Sequence, residues 1–350
     1  MKTLAAVLVE TGKPLELVEL TIPDLKPGQV LVEVAFSGVC HTQVLEARGH
    51  RGEDRYLPHC LGHEGSGTVR EVGAGVTKVK PGDRAILSWI KGSGMDVPGS
   101  VYDWDGKRVN AGGITTFQRF AVLSENRLTP LSAEAGTDSV SLRDAALIGC
   151  AIPTGMGAVL NTARPRPGES LAVFGIGGVG VCTVMAASLA GCVPLIAVDV
   201  HEHKLDLARK LGATHCINSA QQDLAAELTR VCPGGLDFAV EATGRPAVML
   251  QALSCVRSQG GAAVIVGNAH FGEQLTLDPR QLNQGKRLLG TWGGDNWPDR
   301  DYPRYCRLLS AGKFSLDPIQ SEPYALADLN RALEDLEAAR VPRPLIDMSL

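Results

Sequence analysis

Residues 171–199 read LAVFGIGGVGVCTVMAASLAGCVPLIAVD, an apolar run, a glycine-rich turn, a helical run and a second apolar run ending in an acid. The turn carries G-x-G-x-x-G as Gly175, Gly177 and Gly180, with Gly178 and Val179 inside it. Glycine-rich turns are common, so the motif alone is a weak signal; its position after a strand and at the start of a helix makes it a strong one. Gly175 allows the tight turn, Gly177 lets the backbone approach a pyrophosphate, and Gly180 lets the helix pack close to the strand. The helix N-terminus then offers unpaired N–H groups and partial positive charge to phosphates. Asp199, 19 residues beyond Gly180, is placed to accept hydrogen bonds from ribose hydroxyls and to repel a 2′-phosphate. NAD is therefore expected rather than NADP, although His201, His203 and Lys204 add basic groups nearby.

Around this unit the chain has a clear rhythm. LAVFGIG, PLIAVDV, THCINS, LDFAVEATG, GGAAVIVG and RLLGTW are six apolar, β-branched runs, and four of the five gaps can hold helices. One gap, EHKLDLARKLGA, places Leu205, Ala208 and Leu211 on one helical face. Such alternation means a parallel sheet covered on both sides, and six strands make a full doubly wound dinucleotide-binding sheet. The first third differs: QVLVEVAFSGV, GSGTVREVGAGV and PGDRAILSW are short strands between turns, the pattern of a small barrel or sandwich. Beyond the sheet, ALADLNRALEDLEAAR sets Leu326, Leu329, Leu333 and Leu336 at helical spacing, a core-facing stripe. At 350 residues, two domains are the natural expectation. They are drawn at 1–153 for the β-rich part, 154–292 for the dinucleotide-binding part and 293–350 as a return to the first.

Charge excludes several functions. The net charge of −4 comes from 38 acidic and 34 basic residues spread along the chain, so no basic block points to nucleic acid or a membrane surface. The opening MKTLAAVLVETG is too short an apolar run for a signal peptide, and no later run can span a bilayer. A cytoplasmic protein is expected. Nine cysteines, an odd number, do not resemble a disulfide framework. Cys182, Cys192, Cys216, Cys232, Cys255 and Cys306 lie among aliphatic residues and read as buried free thiols.

Cys40, Cys60 and Cys150 need separate treatment; they stand in AFSGVCHTQV, HCLGHEGSG and LIGCAIPTGMGAVLNTA. A catalytic zinc takes three protein ligands and keeps one position open. Cys40, His63 and Cys150 would supply two thiolates and one neutral imidazole, leaving the centre roughly charge-neutral. Spacing does not select these three, and Cys60 competes as a ligand.

Taken together, SGVCHT, LGHEGSGTVREVGAGVTKVKPGD, LIGCAIPTGMGAVLNTA, VFGIGGVG and GTWGGD resemble, in order and over nearly the whole chain, the zinc-dependent medium-chain alcohol dehydrogenases. The resemblance implies a β-rich GroES-like catalytic domain beside a Rossmann domain. It implies Cys40, His63 and Cys150 as ligands of a catalytic zinc, with Glu64 as an exchangeable ligand. It also makes Thr42 the hydroxyl that takes the substrate proton and Trp89 an aromatic wall of the substrate pocket. His41 and Arg343 are expected at the cofactor pyrophosphate, Thr154 near the nicotinamide, and Val266 among the cofactor-binding residues. Lys204 joins Asp199 at the adenosine ribose. A homodimer or homotetramer acting on a small alcohol or carbonyl compound is the implied assembly.

The chain departs from that family in four places. Residues 84–122 contain no cysteine, whereas many members hold a structural zinc there with four, so one zinc per subunit is expected. Gln43 stands where an aspartate usually supports the ligand histidine. Leu45 replaces the final histidine of some members' proton relay. EARGHRGE brings His50 and Arg51 toward the expected pocket mouth, either as a solvated loop or as a site for a polar alcohol such as a sugar or cyclitol. GCAIPTGMGAVLNTA and GTWGGDNWPDRD are most similar to the glutathione-dependent formaldehyde dehydrogenase branch. The competing readings are a zinc-free quinone or enoyl reductase of the same fold, and a catalytically silent nucleotide-binding protein.

Overall fold

The computed structural model describes residues 1–350. Its internal contacts divide the chain into Met1–Cys150 with Trp297–Leu350, and Ala151–Asn296. These junctions fall slightly outside 154–292, for a local reason. Helix Ala151–Gly157 packs tightly enough on helix Gly178–Leu189 that a Cβ at Gly155 would lie 2.5 Å from Cys182 Cβ. At the other junction, Asn296 Nδ2 donates to the Pro153 carbonyl at 2.6 Å, and Asn161 Nδ2 to that of Gly294 at 3.1 Å.

In Ala151–Asn296, six strands form one sheet in which every pair is parallel. By chain order they run third, second, first, fourth, fifth, sixth, with Leu171–Phe174 first and Arg287–Gly290 last. Leu171–Phe174, Leu195–Asp199 and Phe238–Glu241 are buried at every position, as expected of strands covered on both faces. The reversal between first and fourth strands creates the crevice at which such sheets bind ligands. Helix Glu202–Lys210 buries Leu205 and Ala208 completely, while Leu211 caps its end half-buried.

The other unit contains a closed five-stranded barrel and a seven-stranded sheet. Gln29–Gly38, the longest strand, pairs antiparallel with Glu64–Val72, Phe120–Ser124 and Leu345–Asp347. The last pairing carries the return of the chain after the Rossmann sheet. Leu326, Leu329 and Leu333 are buried and Leu336 packs against them, so the leucine stripe faces the core.

No cysteine organises the segment after Trp89, and the Glu125 carboxylate does so instead. Its Oε1 accepts from Thr77 N and Lys78 N at 2.6 and 2.7 Å, and its Oε2 from Met95 N at 2.7 Å. Burial pushes this carboxyl up, but the N–H donors of Met95, Thr77 and Lys78 outweigh it and hold the group below 4.5. Its stabilising effect is therefore present above pH 4.5 and lost as pH falls through the folded-state value. Glu125→Gln is expected to lower stability by about 2 kcal/mol at pH 7, since it removes the charge from these bonds. In urea unfolding measured from pH 7 to pH 4, the gap between the two proteins should narrow; a gap independent of pH refutes the assignment.

Candidate metal centre and dinucleotide loop

Strand register assembles the metal site. Ser37, near the end of the long central strand, faces Gly65 on one side and Ile346 on the other. Cys40 follows two residues after that strand, His63 and Glu64 immediately precede Gly65, and Arg343 lies two residues before Leu345. All four are therefore delivered to one end of the sheet. Glu64 also pairs with Ser88, which places Trp89 beside it. Ser88 Oγ donates to the Gly149 carbonyl at 2.7 Å and shares a 2.6 Å hydrogen bond with the buried Tyr302 hydroxyl, tying the residue before Cys150 to this sheet. Ser37 and Thr116 hydroxyls donate to the Glu64 carbonyl at 3.1 and 3.0 Å. Ser88, Thr116 and Tyr302 were not anticipated. No local signal marks Ser88, whose strand is buried at four consecutive positions, and Tyr302 meets it only through the fold.

The ligand atoms of Cys40, His63 and Cys150 lie within 4.8 Å of one another. His63 Nε2 faces Cys150 Sγ at 3.3 Å, and Thr42 Oγ1 lies 3.7 Å from Cys40 Sγ. Two thiols and an imidazole at this separation are the donor set of a catalytic zinc. Cys60 does not compete: it is buried in the barrel core, where burial pushes its thiol up to about 12. Glu64 is also outside the donor cluster. The Trp89 ring meets the His63 ring edge-on, with centroids 6.4 Å apart.

Burial and neighbouring charges act differently on the three donors. A hydrogen bond from Cys150, with the positive fields of Arg343 and His63, holds the Cys40 thiol well below its usual range despite burial. The same hydrogen bond and burial push Cys150 up. Burial alone would lower the His63 imidazole, but the charges of Cys40 and Glu64 raise it. Arg343 Nε donates to Glu64 Oε1 at 2.7 Å, and its Nη2 is ion-paired with the same oxygen. Both side chains are almost fully buried, at 3% and 0% exposure. Arg343 Nη2 thus meets Glu64 as an ion pair without hydrogen-bond geometry.

In the dinucleotide-binding unit, Gly175 has φ +89°, and a Cβ at Gly180 would overlap the Gly175 carbonyl oxygen. A Cβ at Gly177 would meet nothing within 4 Å, so the turn has an open face where a phosphate fits. Helix Gly178–Leu189 starts with no side-chain cap on its N–H groups. Asp199 is buried; its Oδ2 accepts from Ile176 N at 2.7 Å, and its Oδ1 from Val200 N and His201 N at 2.8 and 3.0 Å. Lys204 Nζ stands 4.0 Å from Oδ2. The Thr154 hydroxyl is buried without a protein partner, as suits a group that bonds a bound cofactor. Val266 follows the fifth strand, its N–H bound to the Glu241 carbonyl. His41 is exposed at the start of helix His41–Ala47. Among the other cysteines, Cys182, Cys192 and Cys306 are buried, while Cys216, Cys232 and Cys255 are half-buried.

Comparison with known proteins agrees with this chemistry. Residues 26–133 match the family model described as alcohol dehydrogenase GroES-like domain, and residues 178–311 the one described as zinc-binding dehydrogenase. An S-(hydroxymethyl)glutathione dehydrogenase from Synechocystis is 33% identical, with 99% of this chain and all of the relative covered. One from Escherichia coli is 34% identical at the same coverage. The crystal structure of benzyl alcohol dehydrogenase from Acinetobacter calcoaceticus superposes with a TM-score of 0.89 at 30% identity, covering 99% of both chains. An alcohol dehydrogenase zinc-binding domain protein from Burkholderia ambifaria gives the same values. The ligand triad, the glycine loop and these relatives lead to one conclusion: the chain belongs to the zinc-dependent medium-chain alcohol dehydrogenases, oxidoreductases acting on CH–OH groups.

Proposed function

We propose that this enzyme interconverts a polar alcohol, of the polyol, sugar or cyclitol class, and its carbonyl, with NAD as the hydride carrier. A zinc ion held by Cys40, His63 and Cys150 supplies Lewis-acid activation of the substrate oxygen. Thr42 Oγ1, beside Cys40, takes the hydroxyl proton, and Trp89 bounds the substrate next to His63. On the cofactor side, Gly177 and the N–H groups of Gly178 and Val179 receive the pyrophosphate, with His41 and Arg343 as its cationic partners. Thr154 and Val266 hold the nicotinamide half, and Asp199 with Lys204 the adenosine ribose. The buried Thr154 hydroxyl, which has no protein partner, supports this arrangement.

The observation that carries the substrate class is Glu46. It lies one turn after Thr42 on helix His41–Ala47, partly exposed and ion-paired with Arg51 at 3.0 Å. Its carboxyl is raised by burial and lies close enough to His63 and Cys40 to feel both charges. A charged pair at this position suits hydroxyl-rich molecules better than an aliphatic chain. In an oxidation screen over primary, benzylic and polyhydroxylated alcohols, polyols with NAD should give the highest kcat/KM. Glu46→Leu should reduce that preference about tenfold, the loss of roughly one charged hydrogen bond. A preference for benzylic alcohols, or for NADP, overturns the proposal.

Assembly with a second copy, as a homodimer or homotetramer, is supported by the Rossmann sheet edge. Strand Arg287–Gly290 pairs on one side only, with Ala262–Ile265, and Trp292, two residues beyond its end, is 75% exposed. Open strand edges beside large apolar side chains are candidates for pairing. Light scattering should give at least twice the monomer mass; a monomer at micromolar concentration refutes it. No helix is long and apolar enough to cross a membrane, which is compatible with the proposed cytoplasmic location.

A further inference from the structure

Gln43 is buried, with 1% exposure, and its two amide ends face different partners. Its Oε1 accepts from Cys40 N at 2.9 Å, which caps helix His41–Ala47, and its Nε2 contacts His63 Nδ1. His63 Nε2, the nitrogen facing the thiols, is the ligand atom. A neutral imidazole that binds metal through Nε2 carries its single proton on Nδ1, where it needs an acceptor. Two N–H groups at opposite ends of one side chain therefore compete for one oxygen. Whichever way the amide lies, its NH₂ group faces the other donor, and an unmet buried donor is costly. A carboxylate has an oxygen for each end, so it would serve both partners together.

We propose that Gln43 is a positioning residue that loosens the metal site: ligation through His63 turns the amide oxygen to Nδ1–H and strips the Cys40 N–H of its cap. Metal affinity is thereby traded against the start of the helix that carries Thr42. The inference rests on Cys40, His63 and Cys150 being the metal ligands, and it goes beyond that assignment to how firmly they hold the ion. Helix His41–Ala47 should be tighter at its first residue in a carboxylate variant than in the natural protein once zinc is bound.

The test uses the full chain, stripped with a chelator and reloaded with zinc, as wild type, Gln43→Glu and Gln43→Asp. Two carboxylate lengths guard against one variant failing to fold. Zinc affinity is read by competition with a chromophoric chelator, and protection of the Cys40 amide by hydrogen exchange in NMR. At least one carboxylate variant should bind zinc about tenfold or more tightly than wild type, the scale on which outer partners of ligand histidines act. On zinc loading, Cys40 amide protection should fall in wild type and hold or rise in that variant. Equal affinities overturn the inference. So does tighter binding with equal Cys40 protection, because that is the signature of added negative charge alone. If wild type and both variants all fail to bind zinc, the ligand assignment itself is wrong, a result distinct from the other two.

Discussion

Cys40→Ser is expected to reduce NAD-dependent turnover about a thousandfold or more and to abolish stoichiometric zinc binding, while NAD affinity stays within about threefold of wild type. Lewis-acid activation is worth several kcal/mol, and each 1.36 kcal/mol is a factor of ten in rate. The size of the loss follows from the state of Cys40. Its thiol is held low by the hydrogen bond from Cys150 and by Arg343 and His63, which suits it to ligate metal as a thiolate. A serine hydroxyl in that place cannot ionise near neutral pH and leaves one thiol and one imidazole, too few for a tight site. The glycine turn, Asp199 and Thr154 belong to the contiguous Ala151–Asn296 unit, which explains why NAD binding should persist. Metal analysis, steady-state kinetics and NAD titration on the same preparation check all three parts. Unchanged turnover in Cys40→Ser rules out zinc catalysis here and revives a metal-free reductase reading.

The second large effect is on stability. Arg343→Met should lower the unfolding free energy by roughly 3–5 kcal/mol, the cost of leaving a buried charge without its partner. Glu64 is fully buried and meets Arg343 through both Nε and Nη2. Its neighbours Cys40 and Cys150 are thiol groups of low and high proton affinity, and neither offers it a positive charge. Combining Arg343→Met with Glu64→Gln removes both charges, and the double variant should regain at least half of the loss. Urea denaturation of the four proteins reads this directly. A single variant within about 1 kcal/mol of wild type would mean that the ion pair contributes little.

The two kinds of structure were unequally legible in the sequence. The Rossmann sheet could be read as far as its six strands because buried parallel strands are continuous apolar runs, and its glycine turn has a fixed local geometry. The leucine stripe of 326–336 could be read from period alone. The metal ligands could not. Cys40, His63 and Cys150 are brought together by antiparallel pairing across the long strand and by the Ser88–Gly149 bond, contacts with no local signature. Family resemblance supplied their identity, and Cys60 was separable only once the barrel placed it in an apolar core. Glu64 and Arg343 were expected to face metal and phosphate separately. Their mutual contact spans 279 positions and arises from the two neighbours of one strand. Gln43 was visible as a departure, but the competition for its oxygen requires knowing that Cys40 N–H lies at its other end. Glu125 gave no signal at all, because carboxylates that gather backbone N–H groups look like any surface acid until the loops around them are placed.

The pairing of Leu345–Asp347 with the long central strand also orders events in time. A ribosome finishes Ala151–Asn296 as an uninterrupted block that can collapse on itself, while the unit with Cys40, His63 and Cys150 still lacks two strands of its main sheet, Tyr324–Ala325 and Leu345–Asp347. Until the second of these arrives, Glu64 has no guanidinium to oppose it and the cysteines stand beside an uncompensated acid. A segment that contributes no metal donor is thus what completes the charge balance around the donors.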